Sequence, residues 1–149
     1  MSQSLAAVLL HVVFSPKNRA FFLQADELRS KTHAYLGGIL RNLDCSPVQI
    51  GGVADHVHIL LGFSRSLTIA DLIKKLKVSS TTMIKDTGLL DFAWQAGYGV
   101  FSVSESTKES VISYIANQEL HHKKLTFQDE LRALLKKHCV AFDERYLWD

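Results

Sequence analysis

Between Ile50 and Leu61 the chain reads Ile-Gly-Gly-Val-Ala-Asp-His-Val-His-Ile-Leu-Leu, an apolar run interrupted by two histidines with a single valine between them. Its two apolar segments, 48–54 and 56–63, pivot near Ala54-Asp55 and read as adjacent antiparallel strands joined by a tight turn. Successive side chains of a strand point to opposite faces, so His56 and His58 leave the second strand on the same side, roughly 6–7 Å apart. Two imidazoles so placed can converge on one metal ion, or they can sit hydrogen-bonded at a sheet surface. The strand by itself does not choose between these readings.

At 149 residues the chain fits one domain, spanning 1–149 and long enough to bury a proper core. Hydrophobic residues make up 47% and charged residues 21%, and no stretch approaches the ~20 uninterrupted apolar residues of a membrane helix. The apolar opening, Met1 to Phe14, lacks a basic leader and a small-residue cleavage site, so it reads as a strand, and a cytoplasmic protein is expected. Cys45 and Cys139 are far apart and lack CxxC spacing, which argues for reduced core thiols over a disulfide framework or a structural zinc site. The formal charge of +2 permits a nucleic-acid partner without demanding one.

Leu5 to Phe14 is a run rich in Val and Leu, ended by Ser15-Pro16, and reads as a first strand buried on both faces. Its His11 suits either a core histidine or a group lining a site, the structural role being the commoner. A basic turn, Lys17-Asn18-Arg19, follows. Asp26 is placed to cap a helix running to about Leu43, with Leu28, Leu36, Ile39, Leu40 and Leu43 on one face. Thr68 and Asp71 have capping-box spacing, and Ile69, Leu72, Ile73, Leu76 and Met83 carry a second helix to about Asp86. Its outward side bears Lys74, Lys75, Lys77 and Lys85 among serines and threonines, a mixture suited to phosphate oxygens but equally to a solvated face.

Residues 92–103 look like a strand with a glycine-rich bend, in which Trp94 and Tyr98 suit packing better than base stacking. Ser106 and Glu109 supply another capping box, opening a helix to about His122. Tyr114 and Gln118, four apart on it, share one face. The cationic cluster His121 to Lys124 is explained by the helix dipole. Thr126 and Asp129 cap a last helix with Phe127, Leu131, Leu134 and Leu135 inward.

The order of elements is a β-α-β-β-α-β plan followed by helices, an α+β class with the ferredoxin-like split β-α-β antiparallel sheet. Two helices would pack on one face. The other face would carry His56 and His58, with the C-terminal tyrosine-bearing helix docked over it. A tyrosine beside a two-histidine metal site suggests nucleophilic catalysis on a phosphodiester.

Six segments support a sharper statement: 11–19 (HVVFSPKNR), 55–60 (DHVHIL), 92–95 (FAWQ), 97–104 (GYGVFSVS), 114–119 (YIANQE) and 143–148 (DERYLW). Together they resemble the IS200-like single-tyrosine transposases, over essentially the whole chain. By that resemblance, His56 and His58 match the histidines of the HUH motif and would be metal ligands, and Gln118 matches a glutamine that supplies a third. Tyr114 matches the nucleophile. The resemblance further implies a homodimer that cuts single-stranded DNA near hairpins at element ends, using Mg2+ or Mn2+, leaves a 5′-phosphotyrosine and a free 3′-hydroxyl, and rejoins the strands. It also lends weight to Lys17, Arg19, Lys74, Lys75, Lys77 and Lys85 as DNA contacts. Since this ligand set contains no carboxylate, metal occupancy without DNA is expected to be weak. The alternatives are another HUH-type nickase and a domesticated DNA-hairpin-binding protein that no longer cuts.

Overall fold

Alternation along two central strands divides the protein into two layers. In the computed structural model, which describes residues 2–148, β1 (Leu9–Phe14) sends Leu10, Val12 and Phe14 into one core, and β3 (His56–Gly62) adds Val57, Ile59 and Leu61 to it. The intervening positions, His11 and Val13 on β1 and His56, His58 and Leu60 on β3, face the other way. β2 (Ser46–Val53) pairs with β3, β3 with β1, and β1 with β4 (Gly99–Val103), all antiparallel, in the order β2-β3-β1-β4. This is the open four-stranded sheet expected for the ferredoxin-like plan.

Two long helices cover the first face. α1 (Asp26–Asn42) and α2 (Ile69–Asp86) press Leu36, Leu40, Leu72, Leu76 and Ile84 onto the strand residues, joined by Phe92 and Trp94. Each such side chain, fully withdrawn from water, contributes about 1.5–3 kcal/mol relative to exposure. Thr68 caps α2 as expected, its hydroxyl accepting from the Asp71 N–H at 3.1 Å. The opposite face is covered by α3 (Lys108–Ala116), the single turn α4 (Gln118–His121) and α5 (Phe127–Lys137). Here Phe127, Leu131 and Leu135 meet Val13 and Phe101, with Phe142, Leu147 and Trp148 of the tail against them. Thr126 caps α5, accepting from the Asp129 N–H at 3.2 Å.

Several local expectations give way to tertiary context. Residues 5–8 lie outside β1, with Leu5 82% exposed, because the register with β3 and β4 ends at Leu9 and only the Val8 carbonyl finds a further partner, the Phe63 N–H at 2.7 Å. Ala25 stands at the N-cap of α1 and Asp26 is its first helical residue. Residues 92–98 form no strand. Trp94 instead bridges Pro16 and donates its indole N–H to Ser80 Oγ at 2.9 Å, anchoring an irregular segment in the core. The third helical stretch opens with a 3-10 turn at Glu105–Thr107, so Ser106 is no cap, and it breaks at Asn117. Cys45 is a buried free thiol, whereas Cys139 is exposed, at a φ of 57° just beyond α5. Met1 and Asp149 lie outside the described residues. Among those residues no helix is long and apolar enough to cross a membrane.

Two glycines set the geometry of the second layer. At Gly51 a β-carbon would fall 2.5 Å from the Ile115 carbonyl oxygen, so only glycine lets α3 lie this close to β2. Gly52, at φ +147°, would place one 2.3 Å from the His56 carbonyl oxygen. Tyr114, the neighbour of Ile115, is thereby brought down toward β3.

Candidate metal and nucleophile centre

His56 and His58 are both fully buried on the second face of β3. Each imidazole is held by its Nδ1. The Asp55 carboxylate lies 2.8 Å from His56 Nδ1, and His11 Nε2 lies 2.8 Å from His58 Nδ1. Their Nε2 atoms turn toward a third group that the sequence reading does not supply, Glu130 of α5. Glu130 Oε1 is 2.8 Å from His58 Nε2 and 3.3 Å from His56 Nε2. Its other oxygen, Oε2, accepts from the Tyr114 hydroxyl and, at 3.1 Å, from Gln118 Nε2.

Gln118 reaches this centre although the helix is interrupted between it and Tyr114. Its Oε1 lies 3.0 Å from His56 Nε2 and 3.0 Å from His122 Nε2, and His122 Nε2 is also 3.2 Å from Glu130 Oε1. One chain therefore brings Tyr114, His56, His58 and Gln118 together around a buried carboxylate.

Charges in the centre follow from this packing. Burial alone would lower the pKa of His56, but hydrogen bonds to Asp55 and Glu130 outweigh it and raise the group to about 9. For His58 burial wins, and its pKa is lowered despite Glu130. His11, buried and beside His58, is lowered to about 3. Glu130 resists its own burial because His122, His56 and His58 hydrogen-bond to it, and it stays ionised well below the usual carboxylate range. Burial, followed by the Glu130 charge, pushes the Tyr114 phenol above its ordinary value. At neutral pH the metal-free centre thus holds an imidazolium, a carboxylate and a neutral phenol.

The donor set fits a divalent cation. One donor atom each from His56, His58 and Glu130 lies within 4.8 Å of the others, and all three residues are buried. Asp55 on His56 Nδ1 leaves Nε2 free for an ion, the usual outer support of a ligating histidine. Two imidazoles with carboxylate and amide oxygens suit Mn2+ or Mg2+. Glu130 removes the premise for weak occupancy without DNA, since a carboxylate belongs to the donor set after all.

A pattern in the last helix marks Glu130. It lies three residues after Phe127 and next to Leu131, a carboxylate inside the apolar stripe of α5. His122 is four residues beyond Gln118 and shares its side. Both signals are visible in the sequence, but neither identifies a partner.

The basic residues fall in different places. Lys17 and Arg19 are exposed in the 3-10 turn after β1, and Arg19 lines a groove of about 640 Å3 with Asp55, His122, Lys123 and Lys124. Lys74, Lys75 and Lys85 are exposed on α2, which covers the sheet face opposite His56 and His58. Lys77 is engaged within the fold: its ammonium donates to the carbonyls of Gln95 and Gly97 at 2.7 and 2.9 Å and lies 5.6 Å from the Tyr98 ring centroid. Burial lowers its pKa to about 8.

The sequence model of the IS200-like transposases matches residues 4–118, and the chain belongs to that family. Glu130 lies beyond the matched segment. A presumptive transposase of Deinococcus radiodurans R1 has a solved structure that superposes with a TM-score of 0.62 at 26% identity, over 79% of this chain and 98% of that one. A REP-associated tyrosine transposase, solved bound to a REP hairpin, superposes at 0.59 with 13% identity, over 84% and 76% of the two chains, and shares the fold. No curated protein matches in sequence.

Proposed function

We propose that this IS200-like protein is a metal-dependent transposase that cuts and rejoins single-stranded DNA at element ends, with Tyr114 as nucleophile. The observation that carries this reading is the convergence, within one chain, of the Tyr114 hydroxyl and the two β3 imidazoles on the two oxygens of Glu130. Mg2+ or Mn2+, held by His56 and His58 with oxygen from Glu130 or Gln118, would polarise a phosphoryl oxygen and offset its growing charge. Tyr114 supplies the electron pair. The Oη–P bond forms as the P–O3′ bond breaks, and the 3′-oxygen leaves and takes up a proton equivalent to the one the phenol releases, while Glu130 Oε2, which accepts the phenol's hydrogen bond, orients the hydroxyl for attack. The 5′-phosphotyrosine keeps the bond energy, so an incoming 3′-hydroxyl can reverse the step on another strand.

The substrate we propose is single-stranded DNA with hairpins at the element ends, handled by a homodimer in the cytoplasm. The hairpin-bound relative of similar fold supports that choice. Arg19, which lines the groove beside His122 together with Lys123 and Lys124, is the best placed of the expected basic residues to meet the strand, with Lys17 exposed in the same short turn. Contacts through Lys74, Lys75 and Lys85 would involve DNA reaching the far layer, and the Lys77 ammonium would first have to leave its carbonyl partners.

The test is a denaturing gel of the protein with single-stranded oligonucleotides carrying the element-end hairpin and Mn2+. Wild type is expected to form a covalent adduct that Tyr114→Phe does not form. Equal adducts in both proteins would remove Tyr114 as nucleophile, and hairpin binding by wild type without any adduct would favour the non-cutting hairpin binder.

A further inference from the structure

His11 has no part in the chemistry above, yet it is buried on β1 and placed against a ligand. Its Nε2 lies 2.8 Å from His58 Nδ1, and the two rings stack with centroids 5.0 Å apart. The Glu130 carboxylate can only accept, so His58 Nε2, 2.8 Å from it, donates. A neutral imidazole has one N–H. His58 Nδ1 therefore accepts in the metal-free protein, and His11 Nε2–H is its donor.

A nitrogen that ligates a metal cannot keep its proton. When His58 Nε2 becomes a ligand, the ring proton must stand on Nδ1, which then needs an acceptor. A carboxylate partner, such as Asp55 beside His56, would serve only this second state. A lysine would serve only the first. A neutral imidazole serves both by exchanging its own tautomer.

We propose that His11 is a positioning residue for His58, a tautomeric partner that donates to His58 Nδ1 without metal and accepts from it when His58 Nε2 is a ligand. The proton count closes. The proton on His58 Nε2 leaves, the proton on His11 Nε2 moves to His58 Nδ1, and one arrives on His11 Nδ1, so the pair carries two ring protons before and after. His11 also lines the cavity of about 840 Å3 between α3 and α5, which gives its ring a route for exchange with solvent. The hydrogen bond survives metal binding with its polarity reversed, and the His58 ring stays oriented in both states.

This proposal rests on the metal reading, and its test separates the two. Full-length protein without DNA is titrated with Co2+ alone, followed by its d–d absorption. Separately, 15N-histidine-labelled protein is observed by NMR with and without Zn2+. We expect the N–H of His58 to move from Nε2 to Nδ1 on adding Zn2+, and that of His11 to do the same. His11→Phe should weaken Co2+ binding about 10–100-fold, as loss of an outer-shell partner does, whereas His11→Gln, whose amide both donates and accepts, should stay close to wild type. Should His11→Phe fail to fold, the wild-type tautomers and His11→Gln still decide. If His58→Ala loses Co2+ but His11→Phe binds it as wild type does, or if the His11 tautomer does not respond to Zn2+, the role of His11 is refuted while the metal site stands. If His58→Ala binds Co2+ as wild type does, the metal reading falls and this proposal with it.

Discussion

The two faces of one sheet follow different rules. Toward α1 and α2 the strands present Val, Ile, Leu and Phe, and the few polar groups of that layer, such as the Trp94 indole on Ser80 and the Thr32 hydroxyl on the Leu28 carbonyl, are satisfied by single local bonds. Toward α3 and α5 the same strands present His11, His56 and His58, and nearly every polar atom there is matched to Glu130, Gln118, Asp55 or His122. The first layer derives its stability from area and tolerates changes that keep volume. The second is an ionic network in which one missing member leaves the others buried and unpaired. Stability and chemistry are thus divided between layers that share β1 and β3.

The sharpest way to break this comparison is one substitution on each face. Glu130→Gln should destabilise the metal-free protein by about 1–3 kcal/mol, because it removes the charged acceptor shared by His56, His58 and Tyr114 while Asp55 still pairs with His56, and should sharply weaken Mn2+ binding. Ile59→Ala, pointing the opposite way from the same strand, should cost about 2–5 kcal/mol through the cavity it leaves, with Mn2+ affinity of the folded protein unchanged. Urea melts and metal titration of both variants check this. Comparable losses of Mn2+ affinity in the two would mean that the layers are not separable.

pH should act through the second layer and through two groups on the first-face helices, His33 of α1, lowered by burial to about 4, and Lys77 of α2, lowered to about 8. The folded pKa of His56 is raised to about 9. Its stabilising contribution, on the order of 3 kcal/mol for a shift of that size, is therefore fully present below about pH 6.5 and lost as pH rises through 9. His11, lowered to about 3, and His58, also lowered, act with opposite sign: the unfolded chain takes up protons below about pH 6.5 that the folded one refuses. Urea midpoints in the presence of a chelator should accordingly fall as pH drops below about 6.5, and above it fall only to about pH 8, where the lowered Lys77 begins to offset His56. Mn2+ affinity should rise between pH 7 and 9, since the ion competes with the His56 proton.

The smallest effect is the cleanest control. Thr68 and Thr126 cap α2 and α5 by the same bond to the third following N–H. Each changed to alanine should cost about 1 kcal/mol. Only Thr126→Ala is expected to lower Mn2+ affinity, because α5 delivers Glu130 and α2 delivers no group to the metal centre; calorimetric titration distinguishes the two.

Much of this was legible in the chain. The period-2 pattern of 56–62 places His56 and His58 on one side, and the spacing from Thr68 to Asp71 and from Thr126 to Asp129 marks two helix starts. These are local properties of backbone period and capping geometry, whereas His11 joins their face only through the pairing of β1 with β3. Other features required the assembled molecule. Residues 92–98 carry strand-forming residues but have no neighbouring edge to pair with over their length, so Trp94 packs instead. Tyr114 and Gln118 meet the histidines because Gly51 lets α3 approach β2.

His56-Val57-His58 shows where the boundary lies. Sequence alone determined that the two imidazoles share a face of a strand, because alternation is a property of the extended backbone. Tertiary structure decided what they face. Glu130 stands 72 residues beyond His58 on a helix whose own pattern gives it no partner, and a buried carboxylate is tolerable only where other elements bring cations and donors to meet it. That meeting is long-range packing, and it turns two histidines on a strand into a centre able to hold a metal ion beside a tyrosine.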